Sequence, residues 1–74
     1  MKVRVKLFAS LRENNEKEML LDLPQGVNPS YIIQQINISE KDVAIIMVNG
    51  RSKELTTILK DGDTLSLFPP VGGG

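Results

Sequence analysis

The sequence predicts an α+β domain: a mixed sheet of four to five strands with one main helix packed on one face. Three observations carry that prediction. Apolar and polar residues alternate near both ends of the sequence, the two-residue period of strands with one buried side. Between them, Asn28-Pro29 heads a short segment whose isoleucines recur at helical spacing. An almost unbroken apolar run, residues 43–48, then follows. A chain of 74 residues buries only about 60% of its unfolded surface, so it holds one core. A protein-walled catalytic pocket would consume much of that core, which favours a binding or carrier role.

The elements follow in order. Val3, Val5 and Leu7 alternate with Lys2, Arg4 and Lys6 and form the first strand. Residues 10–18, SLRENNEKE, are polar, with Ser10 as the cap of a single helical turn and a reversal at Asn14-Asn15. Met19, Leu21 and Leu23 resume the alternation over residues 17–23. This second strand ends at Pro24-Gln25-Gly26 and makes a hairpin with the first. Asn28 can accept hydrogen bonds from the free N–H groups that open a helix, and Pro29 suits its first position, where no donor is needed. Ile32, Ile33 and Ile36 share one side of a helix of about ten residues, which depends on packing that side against the sheet.

Ser39-Glu40-Lys41-Asp42 has the form of a short capped turn. Residues 43–48, VAIIMV, are expected to be a strand covered on much of both faces. Asn49-Gly50 is a tight turn, and residues 51–54 are short and charged, as an edge strand should be. Ile58 and Leu59 are expected to pack inward before the turn Lys60-Asp61-Gly62-Asp63. Leu65 and Leu67 begin a last strand that Pro69-Pro70 stops. A hairpin, a crossing helix and a returning central strand suit the β-grasp, or ubiquitin-like, arrangement. Residues 1–70 form that domain, and residues 71–74 are expected to be a flexible glycine tail.

The inventory of side chains excludes several chemistries. Cys, His and Trp are absent, which removes thiol nucleophiles, imidazole bases and Cys/His metal sites. Nine basic residues balance nine acidic ones, so the excess positive charge that attracts nucleic acid or anionic membrane is missing. The alternating first eight residues also differ from the apolar stretch of a secretory signal. A cytoplasmic protein is expected, with no nucleic acid, membrane or metal among its partners. Asp61 and Asp63 fall short of a calcium loop and read as turn residues. Lys2, Arg4 and Lys6 form a basic row that meets either an acidic partner or, more simply, Glu18 and Asp22 on the neighbouring strand. Met19 and Met47 read as core filling.

Two phenylalanines break the strand parity. If Val3, Val5 and Leu7 face the helix, Phe8 faces the other way, and Phe68 is likewise opposite to Leu65 and Leu67. With the first and last strands parallel and adjacent, both rings sit where the tail emerges. They form either a docking surface or a satellite cluster covered by loop residues such as Leu11.

The final heptapeptide is Phe68-Pro69-Pro70-Val71-Gly72-Gly73-Gly74. Its prolines stiffen the exit from the last strand, and its glycines form a ribbon without side chains that can enter a narrow slot. Fully extended, residues 71–74 reach about 13 Å at ~3.3 Å per residue. The α-carboxylate of Gly74 is then presented alone.

The strand VRVKLFASLRE, the segment KDGDTLSLF and the closing FPPV-x-GG, with Gly72 at the variable position and Gly73-Gly74 as the pair, resemble the MoaD/ThiS sulfur-carrier family over essentially the whole length. Within it, the likeness is greatest to the small subunits of molybdopterin synthases. That variable position often holds Thr, Ser or Ala in the family, so Gly72 makes a looser tail. The resemblance implies that an adenylating enzyme similar to ubiquitin E1 proteins uses ATP to join the Gly74 carboxylate to AMP. Sulfur from a separate donor then displaces AMP and leaves a thiocarboxylate, so the chain donates sulfur and is not an independent enzyme. It binds no cofactor of its own. It also implies a heterotetramer with the large synthase subunit, which receives the tail, with Phe8, Phe68, Pro69, Pro70 and Val71 as partner-binding residues. Sulfur delivery to thiamine or to transfer RNA, conjugation to lysines as a ubiquitin-like modifier, and a plain β-grasp interaction module are the alternatives.

Overall fold

The computed structural model describes residues 1–13 and 15–70. In β1 (Lys2–Leu7) the side chains of Val3, Val5 and Leu7 are wholly buried and those of Lys2 and Arg4 are exposed, because a strand turns successive residues to opposite faces. β1 pairs antiparallel with β2 (Glu18–Asp22) and parallel with β5 (Thr64–Phe68). β3 (Ile45–Val48) runs antiparallel to β5, and β4 (Arg51–Ser52) antiparallel to β3. The strand order is β2-β1-β5-β3-β4, a mixed five-stranded sheet of the β-grasp type.

The helix α1 (Pro29–Gln35) starts as its sequence dictates: Asn28 Oδ1 accepts from the Tyr31 N–H at 2.8 Å and Pro29 occupies the first turn. Ile32 and Ile33 are fully buried, with Ile36 partly buried beside them. It is shorter than expected because Asn37, at φ 60°, turns the chain into the left-handed region, where asparagine is better tolerated than most residues. A helix of 7 residues is unstable in isolation, so its isoleucine face on the sheet holds it in place. Replacing Asn28 with Ala should lower stability by ~1 kcal/mol, measured by urea unfolding, and Asn28→Ser should restore most of it.

The apolar run departs from expectation. Only residues 45–48 form a strand, and of these Ile46 and Val48 are buried while Ile45 is 44% exposed. One helix covers one face of the sheet, so the other face of β3 stays open, and Met47 lies there instead of filling the core. Met19, by contrast, packs against the core edge. Leu59 is 2% exposed and Ile58 61%, so the expected inward pair is divided. The Leu59 N–H donates to Val27 O at 2.9 Å, which fixes the backbone at the buried member of the pair.

Residues Ala9–Arg12 form a 3₁₀ turn with Phe8, not Ser10, in the capping position, because Ala9 at φ 52° reverses the chain immediately after β1. The Asn15 N–H donates to Arg12 O, and Asn14 lies outside the described residues. Ser39 precedes a second 3₁₀ turn (Glu40–Asp42) without a side-chain cap; its carbonyl accepts from Asp42 N–H at 2.9 Å. Asn49 and Gly50 have φ 53° and 82°, as a two-residue hairpin turn requires, and the edge strand after them shortens to Arg51–Ser52.

Asp61 and Asp63 act as turn residues. Asp61 accepts from Lys2 N–H at 2.7 Å, and Asp63 accepts from the Asn49 side-chain amide and from Lys60 N–H. Arg4 reaches Glu18 at 2.6 Å, an exposed pair worth about 0–1 kcal/mol, whereas Asp22 lies 3.8 Å from the Met1 nitrogen.

Candidate functional site

The parallel register sets Leu7 beside Leu67, both fully buried toward the helix. One residue on, parity turns Phe8 and Phe68 to the opposite face, and their rings stack with centroids 4.3 Å apart and planes 12° from parallel. The backbone ties this end together, with Phe8 N–H donating to Leu67 O and Ala44 N–H to Phe68 O. Both rings are half-buried. Leu11 belongs to the main core cluster, although its N–H donates to the Phe8 carbonyl at 3.1 Å. The stack therefore keeps an open surface at the end of the central strand.

Two neighbours extend it. Ile45 pairs across from Phe68 and is 44% exposed. Arg12 donates from Nε to Leu7 O at 2.8 Å and holds its guanidinium 5.5 Å from the Phe8 ring centroid, within cation–π range. A cavity of about 170 Å³ beside Phe8 is rimmed by Lys6, Arg12, Lys17 and Glu18. The site is thus an aromatic–aliphatic patch with a mostly cationic rim. Sequence reasoning found both phenylalanines and missed Arg12 and Ile45. The signals were present: Arg12 lies four residues after Phe8 on a helical turn, and Ile45 has the opposite parity to Ile46 and Val48, which face the core.

Pro69 is half-buried and Pro70 exposed directly after β5. Val71, Gly72, Gly73 and Gly74, also expected at the site, lie outside the described residues. Among the described residues no cluster of three potential metal ligands occurs, and no helix is long and apolar enough to cross a membrane.

Comparisons with known proteins agree with this geometry. The ThiS family profile matches residues 5–74. No curated protein matches the sequence. Among solved structures, a putative molybdopterin converting factor subunit 1 from Pyrococcus furiosus is 35% identical, with a TM-score of 0.76 over 96% of this chain and 99% of that one. The complex of subunits 1 and 2 of the molybdopterin-converting factor from Helicobacter pylori contains a chain 29% identical, with a TM-score of 0.68 and full coverage of both chains. Small archaeal modifier protein 1 of Haloferax volcanii shares the fold, with a TM-score of 0.74 at 20% identity over 95% of this chain and 98% of that one. With a stacked aromatic patch at the end of a central β5 and a family match that runs from β1 through the glycines, the chain belongs to the ThiS family, the MoaD/ThiS sulfur carriers of ubiquitin-like β-grasp fold.

Proposed function

We propose that the chain carries sulfur for molybdopterin assembly, as a thiocarboxylate on Gly74. The observation that carries this reading is the Phe8–Phe68 stack at the end of the strand that leads into Pro69-Pro70-Val71-Gly72-Gly73-Gly74. An open apolar patch there can dock a partner while the glycine ribbon enters its active site. The identity to the Pyrococcus protein and the Helicobacter complex support the molybdopterin branch and a large-subunit partner.

The chemistry needs nothing from side chains of this chain. A carboxylate is a poor electrophile, so an E1-like enzyme lets the Gly74 oxygen attack the α-phosphorus of ATP, releasing pyrophosphate and forming an acyl-adenylate. A sulfide-level nucleophile from a separate donor attacks the acyl carbon, and AMP leaves. The resulting thiocarboxylate delivers its sulfur to a pterin precursor inside the large subunit.

Incubation with ATP, an E1-like adenylating enzyme and sulfide should change the intact mass by replacement of one oxygen with sulfur at Gly74. An unchanged mass with adenylating enzymes of the molybdopterin, thiamine and transfer-RNA pathways alike would overturn the proposal. Loading followed by lysine adducts, without sulfur transfer to a pterin, would assign the chain as a modifier instead. Phe68→Ala should weaken binding to the large subunit about tenfold or more while retaining a dispersed amide spectrum, since truncated aromatic anchors cost 1–2 kcal/mol or more. Isothermal titration with the isolated large subunit measures this.

A further inference from the structure

The exposed Ile58, whose burial the sequence suggested, lies at the other end of the sheet from the aromatic stack. Phe68 pairs with Ile45, whereas Leu65 pairs with Val48, about 10 Å back along β5 at ~3.3 Å per residue. At that far end an open groove of about 350 Å³ runs between the β3–β4 turn and the segment that follows β4. Ile58 is 61% exposed on its wall, the most exposed large apolar side chain among the described residues.

Arg51, Lys53 and Lys60 surround that isoleucine. All three are exposed, and none is ion-paired with a carboxylate among the described residues. Asp63 is the acidic residue in the lining, and its two oxygens are taken by the Asn49 side-chain amide at 2.9 Å and Lys60 N–H at 2.8 Å. Glu54 lies on the same segment but does not line the groove. The chain as a whole has no net charge, so three cations about one apolar side chain are a local concentration rather than a general excess.

The walls are also fixed in advance. Lys53 N–H donates to Ile46 O, Thr57 N–H to Glu54 O, Glu54 N–H to the Thr57 hydroxyl, and Leu59 N–H to Val27 O. A ligand therefore meets a groove already held by its backbone, and the ordering it must impose falls on the exposed side chains.

We propose that this groove docks an acidic peptide segment of a partner protein, one apolar residue covering Ile58 and flanking carboxylates meeting Arg51, Lys53 and Lys60. Solvated cations beside a sheet edge also discourage aggregation. That role, however, does not require an apolar side chain at the centre of them. Because the groove lies at the far end of β5 from Phe68, such a partner binds while the aromatic patch and Gly74 remain available to others. The proposal stands apart from the sulfur-carrier reading and does not depend on it.

The test titrates the full chain, labelled with nitrogen-15, with a short peptide that sets a leucine between glutamates. Saturable amide shifts are expected at Arg51, Lys53 and Ile58, with none at Phe8 or Phe68. Affinity should fall about tenfold in Arg51→Glu/Lys53→Glu and with added salt, as exposed charge contacts do. Ile58→Ser should weaken binding of the leucine peptide and leave its glycine counterpart unaffected. Absence of saturable shifts in a folded protein would overturn the proposal. So would equal affinity for the glycine counterpart, or tighter binding of a short RNA oligonucleotide, which would mark a general polyanion site. The dispersed spectrum of each variant verifies its fold, and Ile58→Ser alone suffices if the charge reversals disturb it.

Discussion

Deletion of Gly74 is expected to abolish sulfur loading and to leave the thermal unfolding transition where it was. The new terminal carboxylate, on Gly73, is chemically equivalent, so the loss comes from reach. One residue of extended chain spans ~3.3–3.6 Å, and a misplacement of even 1 Å from the reacting atom can cost on the order of 10²-fold in rate. If the adenylating enzyme seats the domain through the same proposed Phe8–Phe68 patch, the shortened tail cannot recover the distance by sliding forward. Stability is unaffected because the core cluster runs from Val3 to Leu67. Intact mass after incubation with ATP, the adenylating enzyme and sulfide gives the first readout, and circular dichroism the second. A truncated chain that still gains sulfur would show that the position of the carboxylate is not what the partner reads. Appending one alanine after Gly74 is the complementary change and should also stop loading.

Leu67→Ala is expected to cause a large loss of stability. Leu67 is fully buried in β5, between Leu7 on one side and Ile46 on the other, all on the face that α1 covers. Truncating such a side chain removes its transfer free energy and leaves a cavity, together costing about 2–5 kcal/mol. Domains of this size are stable by roughly 0.05–0.15 kcal/mol per residue, so that cost is a large share of the total. At about 4–8 °C per kcal/mol, the midpoint should fall by roughly 8–40 °C. Leu20→Ala is the control: Leu20 is 55% exposed on the edge strand β2, and its loss should change stability by no more than about 0.5 kcal/mol. A Leu67→Ala variant that melts within a few degrees of the parent would contradict the central place of β5.

Both predictions draw on features that were legible in the residues. Period-two alternation marked Val3, Val5, Leu7, Leu65 and Leu67 as one face, and the same parity placed Phe8 and Phe68 together on the other. Asn28-Pro29 announced the helix, and Asn49-Gly50 the hairpin turn. These are local signals, each set by the dihedral preferences and hydrogen-bonding groups of a few neighbouring residues, so they survive in any fold that uses them.

Burial of particular apolar residues was decided by the tertiary structure. VAIIMV has the composition of a strand covered on both faces, yet a sheet with a single helix leaves Ile45 exposed. Ile58 and Leu59 are adjacent and similarly apolar, and in the folded chain Leu59, bonded through its N–H to Val27, is the one that enters the core. Arg12 joined the site because the turn at Ala9 brings it back over the Phe8 ring, which spacing alone left open. The sequence by itself determined the strands, the helix start, the facing of the phenylalanines and the family. How many layers cover each face depends on contacts between residues far apart in the chain, and that number separates the buried isoleucines from the exposed ones.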